Sequence, residues 1–303
     1  MDSGRQNRDP SHPMALSIAV LGATGVYGRH LSPRLVARGY RVRALVRRPE
    51  TAATAGACGA EVRRADIFDA ASLRAGLEGC DVGVNLATSL PGPSGTGDYA
   101  TNDRLRREGT PIWIGACEEA GVPRIVQQSI AMVNAGGNEA WADEDTVFPP
   151  GQEDTAALAI AAALAMEDTV RQSGLDWTIL RGALFYGPGT GFDDDWFARA
   201  RAGKLRLPAD GQDYVSLVHI ADMAEATAAA IGRWPSRQAL IVADDEPARW
   251  RDVLAYVAAI AGAAPPPPGG RLGLPSFRVS NRRAREALSW TPLYANYRIG
   301  LAR

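Results

Sequence analysis

Lysine is almost missing from this chain. Of its 33 basic residues, Lys204 is the only one that is not an arginine, so a mechanism that needs a lysine beside another side chain has one position to work from. Cysteine is scarce too. Cys58, Cys80 and Cys117 are odd in number, far apart and in no C-x-x-C arrangement, which argues against a disulfide framework or a zinc site and fits a reducing cytoplasm. The three histidines, His12, His30 and His219, are too scattered for a metal cluster, and no metal is expected. No apolar run approaches the ~20 residues of a membrane-spanning helix. A formal net charge of −1 gives no electrostatic reason to expect nucleic acid or an anionic membrane as a partner. The opening MDSGRQNRDPSHP lacks the apolar core of a signal peptide, and residues 1–14 read as a disordered tail.

What is present is an ordinary globular composition, 46% apolar and 22% charged over 303 residues. The organising stretch is SIAVLGATGVYGRH, Ser17 to His30. Ser17 to Leu21 is a short, branched, apolar run that predicts a buried strand. Gly22, Gly25 and Gly28 punctuate a turn, and Leu31, Leu35 and Val36 begin a helical pattern. Strand, glycine turn and helix in that order form a dinucleotide fingerprint. The chemistry needs glycine because a pyrophosphate must reach bare backbone N–H groups at a helix N-terminus. The turn residues Gly22, Thr24, Gly25, Val26, Tyr27 and Gly28 are the candidate contacts.

RVRALV, Arg41 to Val46, predicts a second strand, with Arg47 and Arg48 at its C-terminal end. An acidic residue there would grip the ribose 2′-hydroxyl of NAD; two guanidinium groups match the 2′-phosphate of NADP. The competing reading is a solvated basic turn, and the glycine turn before it favours NADP(H). Further strands are expected at Glu61–Arg64, with Asp66 and Ile67 at the adenine edge, at Val82–Leu86, followed by Ala87 and Thr88, at Arg124–Gln128, ending near Ser129, and at Trp177–Arg181. Helices between them, including Tyr99–Ala120 and Thr155–Ser173, imply an α/β fold: a Rossmann-type, doubly wound parallel sheet whose ligands sit off the carboxyl ends of the strands. Residues 15–186 form the dinucleotide-binding part in this reading. Residues 187–303 form a smaller substrate-binding region, interleaved with the last Rossmann elements. Its first segment, Gly187 to Pro208, is glycine-punctuated and aromatic and predicts a mobile lid. Phe192, Trp196 and Phe197 are its candidate substrate contacts, with core packing as the alternative.

Several phrases resemble the extended short-chain dehydrogenase/reductase (epimerase/dehydratase-like) family. They are GATGVYG, NLAT after the fourth strand, TILRGALFYGPG, VHIADMA, and the closing SNRRAREALSWTP. The resemblance covers almost the whole chain from Leu16 onward. It implies an NAD(P)-dependent enzyme, places Leu86, Ala87, Leu184 and Phe185 beside the cofactor, and makes His219 and Asp222 fold-level residues. It also exposes a departure. The family's usual chemistry uses a Tyr-x-x-x-Lys pair on one helix and a Ser or Thr at the end of strand five. Aligned from Glu167, Ala159 stands where the tyrosine belongs and Ala163 where the lysine belongs; aligned to Val133, Ile130 stands at the hydroxyl position. Four residues before Lys204 is Ala200, so no Tyr-x-x-x-Lys exists in the chain.

Two functions of different class remain open. The first is an NADPH-dependent ketoreductase that reduces a carbonyl on a polycyclic aromatic polyketide in antibiotic biosynthesis, with a phenol of the substrate replacing the missing relay. Its partner is that small-molecule ketone, with Thr88, Ser89 and Ser129 the candidate hydroxyls near the reacting centre, each equally placed to hydrogen-bond the cofactor ribose or cap backbone. The second is a non-redox NADP-binding sensor or scaffold. Glu153 and Asp154, ahead of the alanine-rich helix, are candidates for helix N-terminal charges or for acid chemistry.

Overall fold

The branched apolar runs form strands because each is covered on both faces. The computed structural model describes residues 15–90, 97–137, 139–147, 155–271 and 273–302; the opening tail and Glu153–Asp154 lie outside them. Seven strands make the central sheet: β1 (Ser17–Leu21), β2 (Arg41–Val46), β3 (Glu61–Arg64), β4 (Val82–Asn85), β5 (Arg124–Ile130), β6 (Asp176–Gly182) and β7 (Gln238–Val242). Their spatial order is β3–β2–β1–β4–β5–β6–β7, parallel at every pairing. Central strands are buried throughout, as β4 is at all four positions, which is why they read as continuous rather than alternating apolar runs. The order reverses direction between β1 and β4, which opens a crevice off their carboxyl ends.

Helices cover both faces. On one side α1 (Val26–Ala37) buries Tyr27, Leu31 and Leu35, the i, i+4, i+8 stripe of an amphipathic helix. On the other lie α2 (Ala70–Leu77), α3 (Thr110–Glu119) and α4 (Thr155–Gln172), packed over a second core that includes Leu73, Trp113 and Val170. The helix entering α3 is not regular: Tyr99–Arg104 is α-helical, and Leu105–Gly109 is a π-helical turn. Such turns insert a residue and re-aim the side chains around them.

After β6 the chain leaves the sheet through Leu184–Tyr186, which pairs with Leu217–His219. It forms α5 (Phe192–Arg201) and returns in α6 (Ile220–Arg233) against α1 before laying down β7. The last helix of size is α7 (Trp250–Ile260). His219 caps α6, its Nδ1 accepting from the Ala221 N–H at 3.2 Å, and its ring stacks on Tyr294 with centroids 3.8 Å apart. Asp222 accepts from the backbone N–H groups of Leu293 and Tyr294. Both hold the C-terminal segment in place.

Candidate functional site

The crevice begins at Gly22, whose backbone is left-handed (φ +83°). A Cβ there would stand 3.0 Å from the Leu86 carbonyl group, so only glycine lets the turn pass the end of β4 this closely. At Gly28 a Cβ would fall 2.5 Å from the Gly22 oxygen and the Ala23 Cα, which fixes the tight seat of α1 on β1. Gly25 differs. Its φ of −66° suits any residue, and a Cβ would meet only the Gly22 oxygen, at 3.2 Å. Its other side is open, with Thr24 and Gly25 both exposed. Helix α1 starts there with no side-chain cap and no acidic residue in its first turn. Its leading N–H groups and their partial positive charge therefore face outward, as an anion site requires. These residues fit the pyrophosphate of a dinucleotide.

Arg47 and Arg48 are exposed at the carboxyl end of β2. Beside them Asp66 Oδ1 accepts from the Phe68 N–H at 3.0 Å, and Ile67 is buried at 4% exposure against Gly109. On the far side of the crevice Leu86 is buried, Ala87 half-buried and Thr88 exposed. The Ala87 N–H donates to Asn85 Oδ1, and the Ser89 N–H to Asn102 Oδ1. Those bonds pin the strand end on either side of the exposed Thr88.

Three candidates turn inward instead. The Tyr27 side chain is buried; its hydroxyl pairs with Thr227 and its ring meets Phe185 edge-on, centroids 5.6 Å apart. Burial raises its pKa far above that of a free phenol, so Tyr27 offers the crevice only its backbone. Ser129 is 1% exposed and donates to Glu167 Oε1 at 2.6 Å. Glu167 also receives Arg181 Nε at 3.0 Å, Arg181 Nη2 at 2.7 Å and Arg171 Nη2 at 2.8 Å. Burial alone would raise the carboxyl's pKa, but these cations and the hydroxyl hold it below the usual value. Ser129 therefore belongs to a core network and not to the reacting centre. Phe197 is fully buried, a core residue rather than a substrate contact.

The positions of the missing relay are closed by small or apolar groups. Ala159 is 4% exposed, Ala163 is fully buried, and Ile130 is buried. A cation that the sequence pattern did not single out reaches this place. Arg106, on the π turn and 4% exposed, donates from Nη1 to the Ala159 carbonyl at 2.7 Å. Burial lowers its pKa to about 10, against the opposing pull of Asp103 and Glu167, so it stays charged at neutral pH. Arg106 shares its buried face with Asn102, Gly109 and Thr110, and the register shift of the π turn hides that pattern in the sequence.

Beyond Leu184 lies a cavity of about 560 Å³. Phe192, Trp196, Trp250, Leu254 and Leu274 line it with Leu184. Trp196 and Trp250 meet edge to face with centroids 5.9 Å apart. Leu184 and Phe185 are consecutive on one short strand; Leu184 lines the cavity, and Phe185 packs on Tyr27 of α1. The segment from Gly187 to Gly191 rests on α1: His30 Nε2 bonds the Pro188 carbonyl at 2.9 Å, and a Cβ at Gly189 would meet Val26 and Arg29.

Comparison with known proteins agrees with this geometry. A family model described as NAD(P)H-binding matches residues 22–231. A 3-diazoavenalumate denitrifying reductase from a Streptomyces species is 33% identical over 310 aligned positions, covering 95% of this chain and 100% of that protein. A Stigmatella aurantiaca ketoreductase acting on 4-hydroxy-2-methyl-3-oxo-4-farnesyl-3,4-dihydroquinoline-1-oxide is 28% identical over 241 positions, 78% of this chain and 70% of that one. Among solved structures, MoeE5 in complex with UDP-glucose and NAD superposes with a TM-score of 0.77 at 25% identity, over 94% of this chain and 96% of that one. The Bordetella bronchiseptica enzyme WbmG in complex with NAD, at 17% identity and a TM-score of 0.77 over 96% and 93% of the two chains, shares the fold.

Proposed function

Because this chain belongs to the NAD(P)H-binding family of Rossmann-fold reductases, we propose that it is an NADPH-dependent ketoreductase acting on a flat, polycyclic aromatic polyketide of the angucyclinone kind, in antibiotic biosynthesis. One observation supports this reading: the chain carries an uncapped helix N-terminus behind a glycine turn and an aromatic cavity, while Ala159, Ala163 and Ile130 stand where the family resemblance would put the proton relay. When bound, the reduced nicotinamide supplies a hydride. The chain's own residues position and neutralise. The open N–H groups in the first turn of α1, after Gly25, receive the pyrophosphate, and Arg47 and Arg48 receive the 2′-phosphate as paired guanidinium groups. Thr88 presents a hydroxyl at the strand end, and the two tryptophans hold the ring system flat.

Loss of one proton relay costs ~10²–10⁴ in rate, so another group must stabilise the developing alkoxide. A phenol beside the target carbonyl does this within the substrate, and water completes the protonation. Positioning provides the rest of the acceleration. Absorbance of the reduced nicotinamide, followed with a panel of polycyclic hydroxyketones, tests this. The parent phenol should be reduced far faster than its O-methyl ether; equal rates would refute substrate assistance. Arg47→Ala with Arg48→Ala should erase most of the preference for NADPH over NADH, measured by calorimetry. A second reading, a non-redox sensor or scaffold, draws on the same missing relay and takes over if no carbonyl compound oxidises bound NADPH.

A further inference from the structure

The cavity beside Leu184 has an aromatic floor and a cationic rim, and an apolar ring system alone has no need of that rim. Arg199, Lys204, Arg206 and Arg271 all line it, against one carboxylate, Asp195. Arg199 Nε is paired with Asp195 Oδ2 at 2.7 Å, so those two cancel. The other three cations have no carboxylate partner among the described residues. Among the described residues the guanidinium of Arg206 donates to the carbonyls of Gly203 and Leu205. Lys204 and Arg271 are exposed at the mouth. The whole chain carries a formal charge of −1, so this excess is local. Three like charges at one opening repel one another, and an anion seated between them relieves that repulsion.

We infer that the substrate is an acid: a flat aromatic ketone bearing a carboxylate or comparable anionic group, placed so that Lys204, Arg206 and Arg271 receive the charge while Trp196 and Trp250 hold the rings. This rests on the ketoreductase reading for the ketone, but the recognition of the acid is a binding property and can be measured without turnover. The charges sit at the rim, where each exposed pair adds little. Together they set which molecules enter more than how tightly the rings are held.

The probes are anthraquinone-2-carboxylate and its methyl ester, which share one ring system and differ by one charge. Binding to the NADP⁺-saturated protein is read from quenching of tryptophan fluorescence, since Trp196 and Trp250 form the floor. At low ionic strength the acid should bind about tenfold more tightly than the ester, and the ratio should fall to about twofold or less near 0.5 M salt. In the double variant Lys204→Gln, Arg271→Gln the low-salt ratio should approach one. The salt series on the unmodified protein keeps the inference testable if that variant fails to fold. Equal binding of acid and ester at low salt overturns it and leaves the reductase reading standing. Failure of both probes to quench overturns the assignment of this cavity to the substrate.

Discussion

Gly25 and Gly28 stand three residues apart in one turn, yet the structure gives them opposite duties. At Gly25 a Cβ meets one backbone atom, the Gly22 oxygen, at a tight 3.2 Å, and a larger side chain stands where the pyrophosphate must come. Gly25→Val should therefore keep its melting temperature within a few degrees while losing NADP binding by calorimetry. Gly28→Ala should do the reverse, because its Cβ meets backbone at 2.5 Å; a loss of about 1–3 kcal/mol of stability is expected from denaturant unfolding. Asp244 offers a pH-dependent case. It is 1% exposed and neither oxygen makes a hydrogen bond of normal length. Burial raises its pKa from 3.8 to about 9, only partly opposed by the Glu246 backbone amide. The folded state thus holds a proton that the unfolded chain gives up. Its drag on stability is nil below about pH 4, grows as pH rises toward 9, and levels off above it. Asp244→Asn, which mimics the protonated acid, should melt higher than the parent at pH 8, by about 1–3 kcal/mol in stability, and no higher at pH 4. A gap that widened on acidification would contradict this assignment.

At the scale of elements, the contact that matters most to the sheet is the knot tying β5, β6 and α4 together. Glu167 from α4 takes Ser129 from β5 and Arg181 from β6, all buried. Removing the carboxylate charge leaves Arg181 buried and uncompensated, so Glu167→Gln should cost about 3–5 kcal/mol. Ser129→Ala removes one hydrogen bond and should cost about 1–2 kcal/mol, with ketone reduction still measurable if Ser129 plays no catalytic part. The Gly187–Pro208 segment is held to α1 by His30 and the Pro188 carbonyl, and its four left-handed glycines, Gly187, Gly189, Gly191 and Gly203, permit rearrangement. Amide exchange across it should slow when NADPH and ketone are both present; unchanged protection would count against a lid. Strands and helices were legible in the sequence because burial on two faces leaves unbroken apolar runs, and because Leu31 and Leu35 mark the helix after the glycine turn. The same stripe extended back four residues reaches Tyr27, so its inward turn was legible in principle. The Ser129–Glu167 bond was not, since a strand end and a helix 38 residues later carry no local pattern. Nor was the cavity, whose two tryptophans come from α5 and α7.

Taken whole, the molecule joins the glycine turn and the aromatic cavity through one continuous core that runs from Ile18 in β1 to Leu301 near the C-terminus. The seventh strand is the clearest expression of this. It pairs with β6 from Thr178 to Gly182, but the chain makes it only after α5 and α6. On a ribosome delivering the chain from its N-terminus, β6 therefore emerges with one edge open and stays so until residue 242 follows. An open, apolar strand edge templates pairing with other chains. The nascent protein thus has a window of vulnerability more than fifty residues long between Gly182 and Val242, and a fragment cut short before Gln238 carries that open edge permanently. Residues 15–186 alone cannot complete the sheet, because its last strand is encoded downstream of α5 and α6.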